Sequence, residues 1–151
     1  GHNSILHQGG KDWLVHHTYD MQNLHRQRIL QIRPLYWQEN GWPVAGEPIA
    51  VTRDKRQAEI SENTMVGTWR HSMDYNEADN RTITLEPGGT IRNAPEGSCW
   101  KLDGNRLHMK WKDAYAPGGE WIEEVVIEPA GTSYIGRNQT FNVIRGRRPA
   151  S

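Results

Sequence analysis

The chain has 151 residues, and its 18 Lys plus Arg balance 18 Asp plus Glu. A formal net charge of zero gives no global attraction to nucleic acid or to an anionic membrane. No apolar run approaches the ~18 residues of a membrane-spanning helix, and the single cysteine, Cys99, excludes an internal disulfide and a Cys-based zinc cluster. Within those bounds the chain is long enough to bury about 70% of its unfolded surface. The 15 glycines and 8 prolines mark a turn-rich protein, and seven tryptophans against one phenylalanine supply large apolar area with a polar handle.

The opening Gly1-His2-Asn3-Ser4 has no basic n-region and no apolar h-region, and alternation begins almost at once. The chain is expected to be the interior of a longer protein. Residues 4–7 form a short apolar strand that ends at Gly9-Gly10. Residues 12–19 form a second, with Trp13, Val15 and His17 on one face and Leu14, His16 and Thr18 on the other. Residues 20–27 are polar and read as a loop. Residues 28–37 form a third strand, and Asn40-Gly41 turns into a short edge piece at Trp42-Pro43-Val44. Four short antiparallel strands over residues 1–49 bury too little to stand alone and match one blade of a propeller.

Residues 50–62 are charged, lack apolar periodicity and read as a linker with room for one helical turn. From residue 63 to 148 strand signals return. Gly67, Trp69, His71 and Met73 share a face. Ile83 and Leu85 lead to the turn Glu86-Pro87-Gly88-Gly89. Trp100 and Leu102 precede Asp103-Gly104-Asn105, and Leu107, Met109 and Trp111 follow it. Trp121, Val125 and Ile127 form another run, and Gly136-Arg137-Asn138 reads as a turn between two more. Six to eight short strands at regular spacing predict a small antiparallel barrel, so the fold class is all-β. The basic end, residues 145–151, is expected to fray, with 149–151 a tail beyond the barrel.

The candidate chemistry is sparse. A first blade strand lines a propeller's channel, so His2 would point into it, where an imidazole nitrogen can ligate a metal or touch a ligand; a terminal, solvated histidine is the plainer reading. His16 and His17 face opposite sides of a strand and cannot chelate one ion together. Residues 74–80 suggest a calcium loop but lack the glycine at position six and the glutamate at twelve. Asn80-Arg81-Thr82 and Asn138-Gln139-Thr140 fit the short glycosylation pattern. Glu39, Glu123 and Glu124 are read as solvated surface carboxylates, Cys99 as a small buried hydrophobe, and Trp69, Trp100, Trp111 and Trp121 as barrel core.

Read in order, Gly1-His2-Asn3-Ser4, Gly9-Gly10, Asp12-Trp13-Leu14-Val15-His16-His17-Thr18-Tyr19-Asp20, Ile29-Leu30-Gln31-Ile32-Arg33-Pro34-Leu35-Tyr36-Trp37 and Asn40-Gly41-Trp42-Pro43 resemble the last blade of glycoside hydrolase family 43 arabinanases. His16 stands where that family has Tyr, and Thr18 where it has Ala; both changes keep the strand pattern. The second half, through Val66-Gly67-Thr68-Trp69, residues 83–90 and Trp100-x-Leu102-x-Gly104-Asn105, is similar to the small lipocalin-like barrel appended to many endo-arabinanases.

The resemblance implies a five-bladed propeller enzyme that cleaves α-1,5-linked L-arabinofuranosidic bonds with inversion, of which this chain is the C-terminal portion. Its catalytic carboxylates lie on earlier blades, so no catalytic residue is assigned here and the chain alone is expected to be inactive. Its partners would be the N-terminal propeller portion and arabinan or arabino-oligosaccharide. His2 matches the family's histidine beside a channel metal, usually calcium, whose remaining shell would be mostly water. Polysaccharide substrates place such an enzyme outside the cytoplasm, extracellular or periplasmic in a bacterium. Two other functions remain open: a carbohydrate-binding barrel that grips glycan through exposed tryptophans without catalysis, and a lipocalin-like carrier, for which residues 1–49 would have no purpose.

Overall fold

Period-two alternation becomes twelve β-strands among the residues that the computed structural model describes, 2–19, 28–49, 59–74 and 80–149. They fall into two compact units, Gly1–Lys55 and Arg56–Ser151. The expected loop at 20–27 lies outside the described residues, as do 50–58 of the expected linker, 75–79 of the rejected calcium loop and the last two residues of the tail.

The first unit is an antiparallel meander in sequential order: β1 (Asn3–Gln8), β2 (Lys11–Tyr19), β3 (Arg28–Trp37) and β4 (Pro43–Ala45). Its register pairs Ser4 with Val15 and Val15 with Ile32, so each face is a cross-strand stripe. The Asn40-Gly41 turn forms as expected, with the Trp42 N–H donating to Asn40 Oδ1 at 3.0 Å. Leu35 and Val44 are buried, yet Ile5, Leu6, Leu30 and Ile32, from both faces, are exposed. A single four-stranded sheet cannot by itself cover two apolar faces.

The second unit begins with Ile60, which packs on the barrel core, and a one-turn helix α1 (Glu62–Met65). Ser61 caps it reciprocally: the Thr64 N–H donates to Ser61 Oγ and the Ser61 N–H to Thr64 Oγ1. Eight strands follow: β5 (Gly67–Met73), β6 (Arg81–Leu85), β7 (Ile91–Arg92), β8 (Cys99–Asp103), β9 (Arg106–Lys112), β10 (Glu120–Ile127), β11 (Ser133–Asn138) and β12 (Val143–Arg147). They pair antiparallel in the order β7-β6-β5-β12-β11-β10-β9-β8. A bridge from Thr90 to Cys99, with the Trp100 N–H donating to the Gly89 carbonyl at 2.7 Å, brings the two edges of the sheet together. The result is the expected antiparallel barrel, nearly closed, with both sheet edges occupied.

One side of each strand fills the interior. Met65, Trp69, Leu85, Leu107, Met109 and Val125 are fully buried, with Ile83, Ile91, Trp100, Ile127, Tyr134 and Ile144 around them. Gly146 is required here, because a Cβ on it would stand 1.9 Å from Tyr134 Cζ, inside the phenol ring.

Three local expectations fail. Gly136-Arg137-Asn138 is not a turn but lies inside β11, where a Cβ on Gly136 would meet the Glu124 carbonyl oxygen at 1.9 Å; the glycine serves close strand approach rather than chain reversal. The turn comes later, tied by Asn138 Oδ1, which accepts from the N–H groups of Thr140 and Asn142. Nor do residues 145–148 fray. Arg145–Arg147 lie in β12, and Arg148 stacks 4.2 Å from the Trp69 ring centroid while donating to the carbonyls of Thr64, Val66 and Thr68. That guanidinium ties α1 to the start of β5. Finally, Cys99 is exposed, because it alternates outward beside the inward Trp100.

Candidate functional site

Within the barrel the inward residues change character along the axis. At one end Met65, Leu85 and Leu107 plug the interior with carbon. At the other, His71, Met73, Trp111, Trp121, Glu123 and Asn138 line a cavity of about 540 Å³. Exposed Arg81, Pro95, Lys112 and Ala114 form its rim. A volume of this size lies within the roughly 300–1,000 Å³ of small-molecule sites.

Alternation sets these side chains. On β5, His71 follows Trp69 inward; on β10, Glu123 sits between inward Trp121 and Val125; on β9, Trp111 follows Met109. Register places Trp121 directly opposite Trp111, so two indoles on neighbouring strands share one wall. Glu123 pairs with Asn138 on its other side.

A polar chain runs across the cavity floor. Tyr134 Oη lies 2.9 Å from His71 Nδ1, and His71 Nε2 lies 3.4 Å from Glu123 Oε1. A carboxylate only accepts, so Nε2 carries the imidazole proton toward Glu123 and the Tyr134 hydroxyl donates to Nδ1. Burial, and secondarily the Glu123 charge, hold the Tyr134 phenol well above its ordinary pKa, so it stays a neutral donor. His71 and Glu123 are 6% and 5% exposed, so this chain is shielded from bulk solvent. Trp121 Nε1 donates to Asp113 Oδ2 at 3.0 Å, whereas Trp111 Nε1 and Glu123 Oε2 are buried with no hydrogen-bond partner.

This site was missed in the sequence. Glu123 is no solvated surface carboxylate: it points inward while its neighbour Glu124 points out to pair with Arg106. Trp69 and Trp100 are core as expected, and Trp111 packs against that core while also lining the cavity, but Trp121 is a half-buried wall of the cavity. Asn138, in the second glycosylation pattern, is buried, and its side-chain oxygen accepts from the following turn. The available signal was a polar residue on the inward face of a strand, His71 between Trp69 and Met73 and Glu123 between Trp121 and Val125.

In the first unit His2 is exposed just before β1, and its ring lies 5.9 Å from that of His17, which meets Tyr19 edge-on. Desolvation, and after it nearby positive charge including Arg28 and His2, lowers the His17 pKa. His16 and His17 are both half-buried on opposite faces. Among the described residues no group of three or more His, Cys, Asp or Glu side chains is arranged to hold a metal. One exposed imidazole is too little to hold a cation unaided, and calcium takes its ligands from oxygen.

No family model and no curated protein sequence matches this chain. Solved structures do. An endo-1,5-alpha-L-arabinanase from Thermotoga petrophila RKU-1 superposes with a TM-score of 0.70 at 18% identity, over 99% of this chain and 35% of its own. The same enzyme in complex with TRIS gives 0.73 at 18% identity, over 99% and 36%. The family 43 glycoside hydrolase YxiA from Bacillus licheniformis gives 0.67 at 17% identity, over 100% and 35%. At such identities the likeness is one of fold, and the chain spans about 35% of the length of these enzymes.

Proposed function

We propose that this chain is the C-terminal portion of an arabinan-degrading glycoside hydrolase that cleaves α-1,5-L-arabinofuranosidic bonds with inversion. The observation that carries the reading is coverage: the likeness to family 43 enzymes takes in blade and barrel together, over 99% of this chain, and leaves nearly two thirds of theirs unmatched. The apolar faces of the blade support it, since Ile5 and Leu30 need flanking sheets to cover them.

Inverting hydrolysis needs an acid and a base about 6.5–9.5 Å apart across the scissile bond, with room for water. The catalytic carboxylates belong, in this reading, to blades that precede residue 1, and the chain contributes a wall of the channel. His2 is the residue it would offer to a calcium ion there, the ion supplying charge stabilisation when bound. The site of action is outside the cytoplasm, extracellular or periplasmic; no described helix is long and apolar enough to cross a membrane.

The test is reducing-sugar release from linear arabinan by the chain alone and by the chain joined to its preceding blades. The joined protein is expected to hydrolyse arabinan, and His2→Ala in it to lower calcium content and activity together. Hydrolysis by the chain alone, or a joined protein that ignores arabinan, would overturn the reading.

A further inference from the structure

The mouth of the barrel contains an acceptor and a donor that the protein leaves unanswered. Glu123 is 5% exposed; its Oε1 faces His71 Nε2, but its Oε2 is buried without a partner. Trp111 Nε1 is likewise buried and unpartnered, and both residues line the same cavity of about 540 Å³. Buried polar atoms are costly to leave unpaired, so a pair of opposite polarity in one cavity marks a place prepared for something that bonds to both.

The chemistry of that occupant is narrow. An ammonium group could donate to Glu123 Oε2 but has no lone pair for the Trp111 N–H. A carboxylate could accept from Trp111 but would face the Glu123 charge. A hydroxyl does both. Around these two atoms the cavity is amphipathic: the indoles of Trp111 and Trp121 stand on paired strands, the His71 ring packs 5.5 Å from that of Trp111, and Asn138 is a further polar member of the lining. Aromatic wall and polar floor together suit a ring with carbon on its face and hydroxyls on its edge.

We propose that the barrel cavity binds a neutral polyhydroxylated ligand of one or two sugar rings, whose hydroxyls donate to Glu123 Oε2 and accept from Trp111 Nε1 and whose ring face lies on the half-buried Trp121. The Tyr134–His71–Glu123 chain fixes the carboxylate, and Asp113 fixes Trp121. The site belongs to the barrel by itself, so it stands or falls independently of the hydrolase reading.

The test uses the full 151-residue chain, labelled with nitrogen-15. Methyl xyloside and maltose are the polyol probes, with decanoate and glycine in parallel, and the tryptophan indole N–H resonances are followed. The expected result is a saturable shift of the Trp111 indole with either sugar, in the millimolar range, while the Trp69 indole, already bonded to the Met65 carbonyl, stays put. Trp111→Phe and Glu123→Gln should each weaken binding about tenfold, the scale of one lost hydrogen bond. If either variant loses its near-ultraviolet dichroism, Trp121→Leu on the half-exposed wall replaces it, with the same expected loss. The proposal is overturned if no sugar gives a saturable shift, if folded variants bind as well as the parent, or if only decanoate or glycine binds.

Discussion

In the blade, Ile5 and Leu30 are 60% and 69% exposed, and each has an apolar neighbour, Leu6 and Ile29, on the opposite face; in the barrel, Trp69 and Ile83 sit between polar neighbours and are 0% and 4% exposed. Both regions are built of short antiparallel strands. What separates them is closure. The barrel bends its sheet until Thr90 meets Cys99 and its inward faces cover one another, whereas the four-stranded meander presents two faces and can cover neither. Alternation decides which residues share a side; only topology decides whether that side is inside.

That contrast can be broken outright by separating the regions. Residues 59–151 should fold cooperatively alone, with strong near-ultraviolet dichroism from the packed tryptophans, and residues 1–49 should not. A cooperative thermal transition in the isolated blade would show that a single sheet suffices and would dissolve the distinction.

Point substitutions sharpen it. Trp69→Ala should destabilise the barrel by about 3–5 kcal/mol in urea unfolding, the range for deleting a packed tryptophan. Leu30→Ser in the same chain should change stability by no more than about 0.5 kcal/mol, because an exposed leucine has little burial to lose. Equal costs at both positions would mean that the blade's faces are covered after all.

A smaller effect is expected at Arg148, half-exposed over Trp69 with three carbonyls in its reach. Arg148→Ala should cost about 1–2 kcal/mol, and Arg148→Lys should recover only part, since an ammonium cannot both stack and fork. Full recovery by lysine would reduce the contact to simple charge.

The smallest effect is electrostatic. Glu120 is held below its ordinary pKa first by the Lys112 hydrogen bond at 2.7 Å, with Lys110 adding to it. A folded-state pKa lower than the unfolded one stabilises above the unfolded carboxylate value, about 4.3, and is lost as pH falls through the lower folded value. Glu120→Gln should therefore lower the melting temperature slightly at neutral pH and leave it unchanged near pH 2. Asp12 is shifted in the same direction in the blade, by His7 first and Trp37 second, so the two regions do not differ in this respect.

The limits of the sequence follow the same division. The strands of the blade, its Asn40-Gly41 turn and the antiparallel barrel were legible because period-two patterns and turn residues are local. Depth was not. Trp69 and Trp111 stand in equivalent alternating runs, but one is wholly buried beneath Arg148 and the other borders a cavity, and that depends on what seven other strands place opposite. Glu123 looked solvated because charge is a strong prior for the surface; only register with Met109 and Asn138 reveals it facing inward. Gly136 misled because glycine marks turns and close approaches alike.

The pairing of β12 with β5 has a further consequence. Strand β5 runs from the plugged end of the barrel to its mouth and β12 runs back, so the polypeptide arrives and departs side by side at the plugged end, where Arg148 clasps α1. Neighbouring ends make the barrel suited to circular permutation and to grafting into a surface loop of an unrelated host, a self-contained cup that can be carried on two adjacent stems.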